Sequence, residues 1–218
     1  MGWSIVQAKL AVLVSGNGSN LQAMIDAIAF GLLPAEIAIV ISSRSDAYAL
    51  ERAARAGIPT AVVPRKAYAD NEAYSEALLE VLAPYQPDLL LLAGFMSVLS
   101  DRFVNHYAGR IMNTHPALIP AFCGPGFYGA RVHQAVLDYG AKVSGASIIF
   151  VETGVDTGPI ILQEAVPVYD TDTADSLAER VLAVEHRLYV KAVRYYLAGR
   201  LHIRGRRVYI TPGEGGEK

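Results

Sequence analysis

Residues 9–20 read KLAVLVSGNGSN: an apolar run, a small polar turn, then the start of a helical pattern at Ser19. A strand that passes through a glycine loop into a helix is how a crossover unit of a parallel sheet begins. The alternation continues outward from there. Short runs rich in Val, Ile and Leu place strands at 9–14, 36–42, 60–63, 88–93 and 110–113. Helical spacing places helices between them at 19–29, 47–56, 71–83 and 101–107. Asp70 and Ser100 stand where N-caps belong, and Gly57 and Pro59 end the second helix. The first half thus reads as an α/β fold with an open, mostly parallel sheet and helices on both faces.

The second half changes character. Two β-rich runs, 143–151 and 160–168, flank the turn ETGVDTGP, and a long helix follows from about 173 to 198. The tail LHIRGRRVYI predicts a hairpin through Gly205, and GEGGEK after Pro212 is expected to fray. No linker divides the chain. It reads as one domain over 1–218, with an N-terminal half over about 9–110, a C-terminal half over about 111–200 and a short tail at 201–218.

Composition narrows the function classes. With 52% hydrophobic and only 18% charged residues, the chain can bury a sheet on both faces and is not disordered. Lys and Arg number 19 against 21 Asp and Glu, so the net charge of -2 supplies no footprint for nucleic acid. A single cysteine, Cys123, cannot form an internal disulfide and suits a reducing cytoplasm. The N-terminal run ends at a glycine too early for a signal peptide, and the apolar stretch 89–93 falls far short of the roughly 20 residues that span a bilayer. The apolar excess fits either a double-sided sheet or a dimer face, and a homodimer is the expectation.

Two loops carry the candidate chemistry. SGNGSN, at 15–20, follows the first strand and opens the first helix, where backbone amides and the positive helix end hold an anion. Taken alone it is equally a tight turn with Ser19 as N-cap. The dinucleotide fingerprint lacks its third glycine, because Leu21 follows, although Ser42-Ser43-Arg44 keeps an NADP-dependent oxidoreductase open. The second loop is NTHPALIP at 113–120. If the strand persists through residue 115, Asn113 and His115 share one side and Thr114 takes the other. Pro116 disfavours a helical conformation at His115. An amide and an imidazole side by side suit acyl transfer to an amine, one donating to the oxyanion and the other also moving a proton. A third group must orient the imidazole; Asp156 in GVDTG is one candidate and Glu152 the other. Otherwise the histidine is a satisfied polar residue and GVDTG a hairpin connection.

The stretches SGNGSNLQA, LAGFMSVLS, MNTHPALIP, GVDTGPIILQ and the late Glu185-His186 pair, in this order, resemble the glycinamide ribonucleotide transformylase family. The resemblance runs from Lys9 to about Leu201. It implies a formyltransferase fold, Rossmann-like in its N-terminal half, with a mostly parallel seven-stranded sheet. It implies transfer of a formyl group from 10-formyltetrahydrofolate, as co-substrate, to the amine of glycinamide ribonucleotide in purine biosynthesis, in the cytoplasm and without a metal. Asn113, His115 and Asp156 would be catalytic. Gly18, Ser19 and Asn20 would hold the nucleotide phosphate, and Glu185 would lie on the ribonucleotide side, although on a helix it is otherwise a solvated charge. Met96, Ser97, Val98 and Leu99, with Asn71 and Asn113, would line the folate site.

Departures from the family pattern accompany the match. Ser97 stands where relatives commonly carry Arg, Asn71 replaces a basic residue, and Ile149 sits where many have His. Contacts to the glutamate tail of the folate are then open, and Arg131 or Lys66 is expected to compensate. The loop 122–133, FCGPGFYGARVH, is longer than usual, with Cys123 as a small apolar filler. Methionyl-tRNA and nucleotide-sugar formyltransferases, formyltetrahydrofolate deformylase and a non-catalytic sugar-phosphate-binding protein remain alternatives. The slightly acidic chain, without a large further domain, favours the ribonucleotide acceptor.

Overall fold

The computed structural model describes residues 7–213, which fall into two compact units that divide between Ser97 and Val98. The expected fraying of GEGGEK falls, from Glu214 onward, outside the described residues.

The first unit contains β1 (Ala8–Val14), α1 (Ser19–Ala29), β2 (Ala35–Ser42), α2 (Tyr48–Arg55), β3 (Thr60–Val62), a 3-10 turn at Arg65–Ala67, α3 (Asn71–Leu82) and β4 (Leu89–Leu92). Its strands lie in the order β3-β2-β1-β4, every neighbour parallel. All four residues of β4 and the last five of β1 are buried, as strands covered on both faces must be. Asp70 caps α3 by accepting from the Ala73 amide at 2.8 Å. The chain order steps one way from β1 to β2 and the other way to β4, so the loops after β1 and β4 flank a topological switch point.

The second unit runs through α4 (Asp101–His106), β5 (Ile111–His115), α5 (Ala130–Tyr139), β6 (Val143–Phe150), β7 (Ile160–Pro167), α6 (Ala174–Leu197), β8 (Leu201–Arg204) and β9 (Arg207–Ile210). Here β5, β6 and β7 are antiparallel neighbours, β9 meets β7 in parallel, and β8 and β9 form the expected hairpin. A capping box between Thr173 and Ser176 starts α6, whose buried face includes Leu177, Val181, Leu188 and Tyr189.

The α/β class stands, with three corrections. The described strands number nine rather than seven, because the tail hairpin adds two to the strands that the family pattern implies. The loop 122–133 is shorter than expected: its last four residues are the first turn of α5, which Gly140 closes at φ 75°. The residue capping α1 is Gly18 and not Ser19, which is already helical. No helix among the described residues is long and apolar enough to cross a membrane.

Candidate active site

In the second unit, β5 continues past Asn113 to His115 because antiparallel pairing with β6 holds register as far as His115 opposite Ser147. Alternation then sends successive side chains to opposite faces. Thr114 turns to α6 and donates its hydroxyl hydrogen to Oε1 of Glu185 at 2.9 Å. Glu185 is therefore buried under the strand and not a solvated charge. On the other face, half-buried Asn113 precedes His115, which is 4% exposed.

The exit of β5 is fixed by a buried polar net. The Ser147 hydroxyl donates to the Ala117 carbonyl at 2.6 Å and accepts from the Ile119 amide at 3.1 Å. Gln163 on β7 donates to the Ile119 carbonyl at 2.9 Å. The Ala117 carbonyl and both main-chain polar atoms of Ile119 thus find partners where the chain leaves the sheet.

His115 is engaged at both ring nitrogens. Nδ1 lies 3.3 Å from Oδ2 of Asp156, whose side chain is 8% exposed, and Nε2 lies 2.8 Å from the carbonyl of Phe122. Both neighbours are acceptors, so only a ring carrying two N–H groups supplies a hydrogen to each. Asp156 sits at φ 55°, a conformation that Asp adopts more readily than most residues. Glu152, its competitor in the sequence, is exposed. Cys123 donates its thiol hydrogen to the Pro120 carbonyl at 3.3 Å, so it is not a purely apolar filler, and burial followed by the nearby Asp156 charge pushes the thiol up. His133 of α5 is buried, and desolvation, then the neighbouring His115, holds it below its ordinary value.

In the first unit, the glycine loop presents main chain. Gly18 adopts φ 78°, and a Cβ there would lie 2.5 Å from the Cβ of Ala49. The Ala49 amide donates to the Gly16 carbonyl at 3.1 Å, which seats α2 against the loop. The first turn of α1 holds no acidic residue, and buried Asn20 keeps an Oδ1 without a hydrogen-bond partner among the described residues. A glycine turn followed by an acid-free helix start favours an anion, whereas Asn20 Oδ1 is an acceptor and takes a donor. Ser19 is half-buried beside them. The loops after β1, β2 and β4 are joined: the Ser15 hydroxyl is 2.6 Å from that of Ser43 and accepts from the Met96 amide at 2.9 Å. Met96 is 57% exposed, Ser97 half-buried, and in the second unit Val98 is exposed and Leu99 half-buried.

A family model described as formyl transferase matches residues 8–193. The chain belongs to the formyl transferase family. It is 42% identical over 192 residues to a phosphoribosylglycinamide formyltransferase of Escherichia coli (strain K12), covering 88% of each chain. It is 43% identical over 207 residues to a trifunctional purine biosynthetic protein adenosine-3 of Bos taurus, covering 94% of this chain but only 20% of that one. The chain therefore spans about a fifth of the trifunctional relative. Among solved structures, glycinamide ribonucleotide transformylase 1 from Symbiobacterium toebii superposes with a TM-score of 0.91 at 43% identity, covering 97% of this chain and 98% of the other.

Sequence reasoning about this formyl transferase overlooked two arginines. Arg52 of α2 donates Nε to the Asn17 carbonyl at 2.9 Å and Nη2 to Asn17 Oδ1 at 3.0 Å, which brings a cation to the glycine loop. Arg65 donates Nη2 to Asn71 Oδ1 at 2.9 Å, and its guanidinium lies 5.6 Å from the ring centroid of buried Tyr74. Burial pushes the Tyr74 phenol up to about 12. Lys66, the expected substitute cation, is exposed next door, and exposed Arg131 lies over Tyr128. Both arginines were legible only as helix or turn residues. Among the described residues no group of three or more His, Cys, Asp or Glu could hold a metal ion.

Proposed function

We propose that this chain transfers the formyl group of 10-formyltetrahydrofolate to the amine of glycinamide ribonucleotide, in the cytoplasm. The observation that carries the reading is the His115–Asp156 contact at the end of β5, two residues from Asn113. The names of full-length relatives support the choice of substrate.

The substrate amine attacks the formyl carbon, whose oxygen gains negative charge as the carbon becomes tetrahedral. Asn113 and His115 donate hydrogens to that oxygen, and Asp156 balances the charge of the imidazolium. Collapse breaks the bond from the formyl carbon to the folate nitrogen, which takes up the proton given by the amine. The Nε2 hydrogen that now meets the Phe122 carbonyl is the one that His115 offers to the oxyanion.

Gly18, Ser19 and Asn20 hold the ribonucleotide phosphate in this reading, with Arg52 behind the loop adding positive potential. Glu185 serves the ribonucleotide through its hold on Thr114. Met96 and Ser97, with Asn71, serve the folate in this reading, and so do Val98 and Leu99. Arg65, held at Asn71, supplies the cation for the carboxylates of the glutamate tail in place of an arginine at 97.

The test is an assay for tetrahydrofolate release with and without glycinamide ribonucleotide. Release that requires the ribonucleotide is expected. Release to water alone would make the chain a deformylase, and no release in either case would leave it a binding protein.

A further inference from the structure

The His115–Asp156 pair is gripped from outside by one short stretch of main chain. The Phe122 carbonyl lies 2.8 Å from Nε2 of His115, and two residues later the Gly124 amide donates to Oδ2 of Asp156 at 3.1 Å. That Oδ2 is the atom facing Nδ1 of His115. The contacts close a ring through imidazole, carbonyl, peptide, amide and carboxylate. A free carboxylate or imidazole turns easily about its last torsion, which has broad minima. Here each end of the pair is tied to the same backbone segment.

The backbone is bent to make these contacts. Phe122 has φ 50°, which few residues other than glycine adopt, and Gly124 has φ 90°. A Cβ on Gly124 would meet nothing within 4 Å, so glycine serves the torsion and not the space. The Phe122 ring is wedged edge-on between Phe127 and Tyr139, with centroids 6.4 and 5.8 Å away. Packing holds the residue in its unfavourable conformation, as it does for strained residues at reactive sites. Cys123, between the two gripping residues, turns its thiol away to Pro120.

We infer that Phe122 and Gly124 are positioning residues for the His115–Asp156 pair: the carbonyl of one holds the ring until the oxyanion takes over its Nε2 hydrogen, and the amide of the other aims the carboxylate. Their kinetic effect rests on the formyl-transfer reading, whereas their geometric effect does not.

Gly126 supplies the control. It lies in the same loop at φ 92°, with nothing within 4 Å of a Cβ, and the hydrogen bonds to the pair come from Phe122 and Gly124. Gly124→Ala is expected to lower kcat by about ten- to a hundredfold with KM changed less than about twofold, the loss that a misplaced reacting group brings. Gly126→Ala should keep the parent kcat. Equal losses in the two variants would mean that only loop order matters and would overturn the inference. Imidazole 15N signals of His115 provide a readout that needs no turnover. They should move in Gly124→Ala and Phe122→Ala, stay in Gly126→Ala, and be restored in Phe122→Tyr, which keeps the edge contact. Unmoved signals in Gly124→Ala would sink the inference whatever the activity. Moved signals in a protein that transfers no formyl group would instead sink the proposed reaction and leave the positioning role standing.

Discussion

The loops that follow β1 and β5 leave their strands in opposite ways. The one at 15–18 turns at once into a helix and is shaped by a glycine pressed on a neighbouring alanine. The one at 116–129 returns to the strand it came from and takes hold of His115 at its end. A short loop is enough to offer partial charge to a ligand, because peptide dipoles need only be left unpaired. Fixing a reactive side chain needs contacts from several directions, hence more chain and partners from β6, β7 and the 150s turn.

Substitutions can break this contrast, and the largest effect belongs to the second loop. Asn113→Ala removes a donor worth about 2.7–4 kcal/mol to an oxyanion, so kcat for formyl transfer should fall by about two to three decades. An unchanged kcat would remove side-chain chemistry from that strand end. At the first loop, Gly18→Val forces a Cβ into Ala49 and should cost about 1–3 kcal/mol, seen as a lower Tm and a raised KM for the ribonucleotide. A fall in kcat with KM unchanged would mean that this loop, too, acts on the reacting atoms.

Smaller effects sharpen the edges. Arg65→Ala should raise KM for polyglutamylated folate by about three- to tenfold and leave the monoglutamate almost unaffected, the scale of one charge-assisted hydrogen bond in partial solvent. Equal effects on both folates would place Arg65 in the fold instead. The smallest change concerns pH. Burial, then His115, holds His133 below its ordinary value of 6.5, so the folded state resists a proton that the unfolded chain accepts. Its contribution to stability is present above that ordinary value and is lost as pH falls towards the folded one. Tm should therefore drop less between about pH 7 and pH 5 in His133→Gln than in the parent; parallel curves would show that burial of this ring is not what acid works against.

The first unit was nearly readable from its letters, because β1, β2 and β4 are apolar runs and α3 has Asp70 at its cap. Local signals failed where glycines crowd: α5 begins directly after Gly129 and was absorbed into the loop before it. The site divides similarly. Asn113 and His115 announce themselves by strand spacing, but Asp156 and Glu152 flank the same turn, and only the fold buries one beside the imidazole and exposes the other. Ser147 and Gln163 are ordinary strand residues until the chain exit at 117–119 lands on them. Contacts across such sequence separations leave no periodic trace.

The approach of Gly18 to Ala49 links two positions that no local pattern connects. The space beneath the loop is shared property: if the helix residue grows, the turn must yield even though its own letters are untouched. Enlarging Ala49 is thus a remote way to deform the nest of amides, and drift at either position is bound to the other.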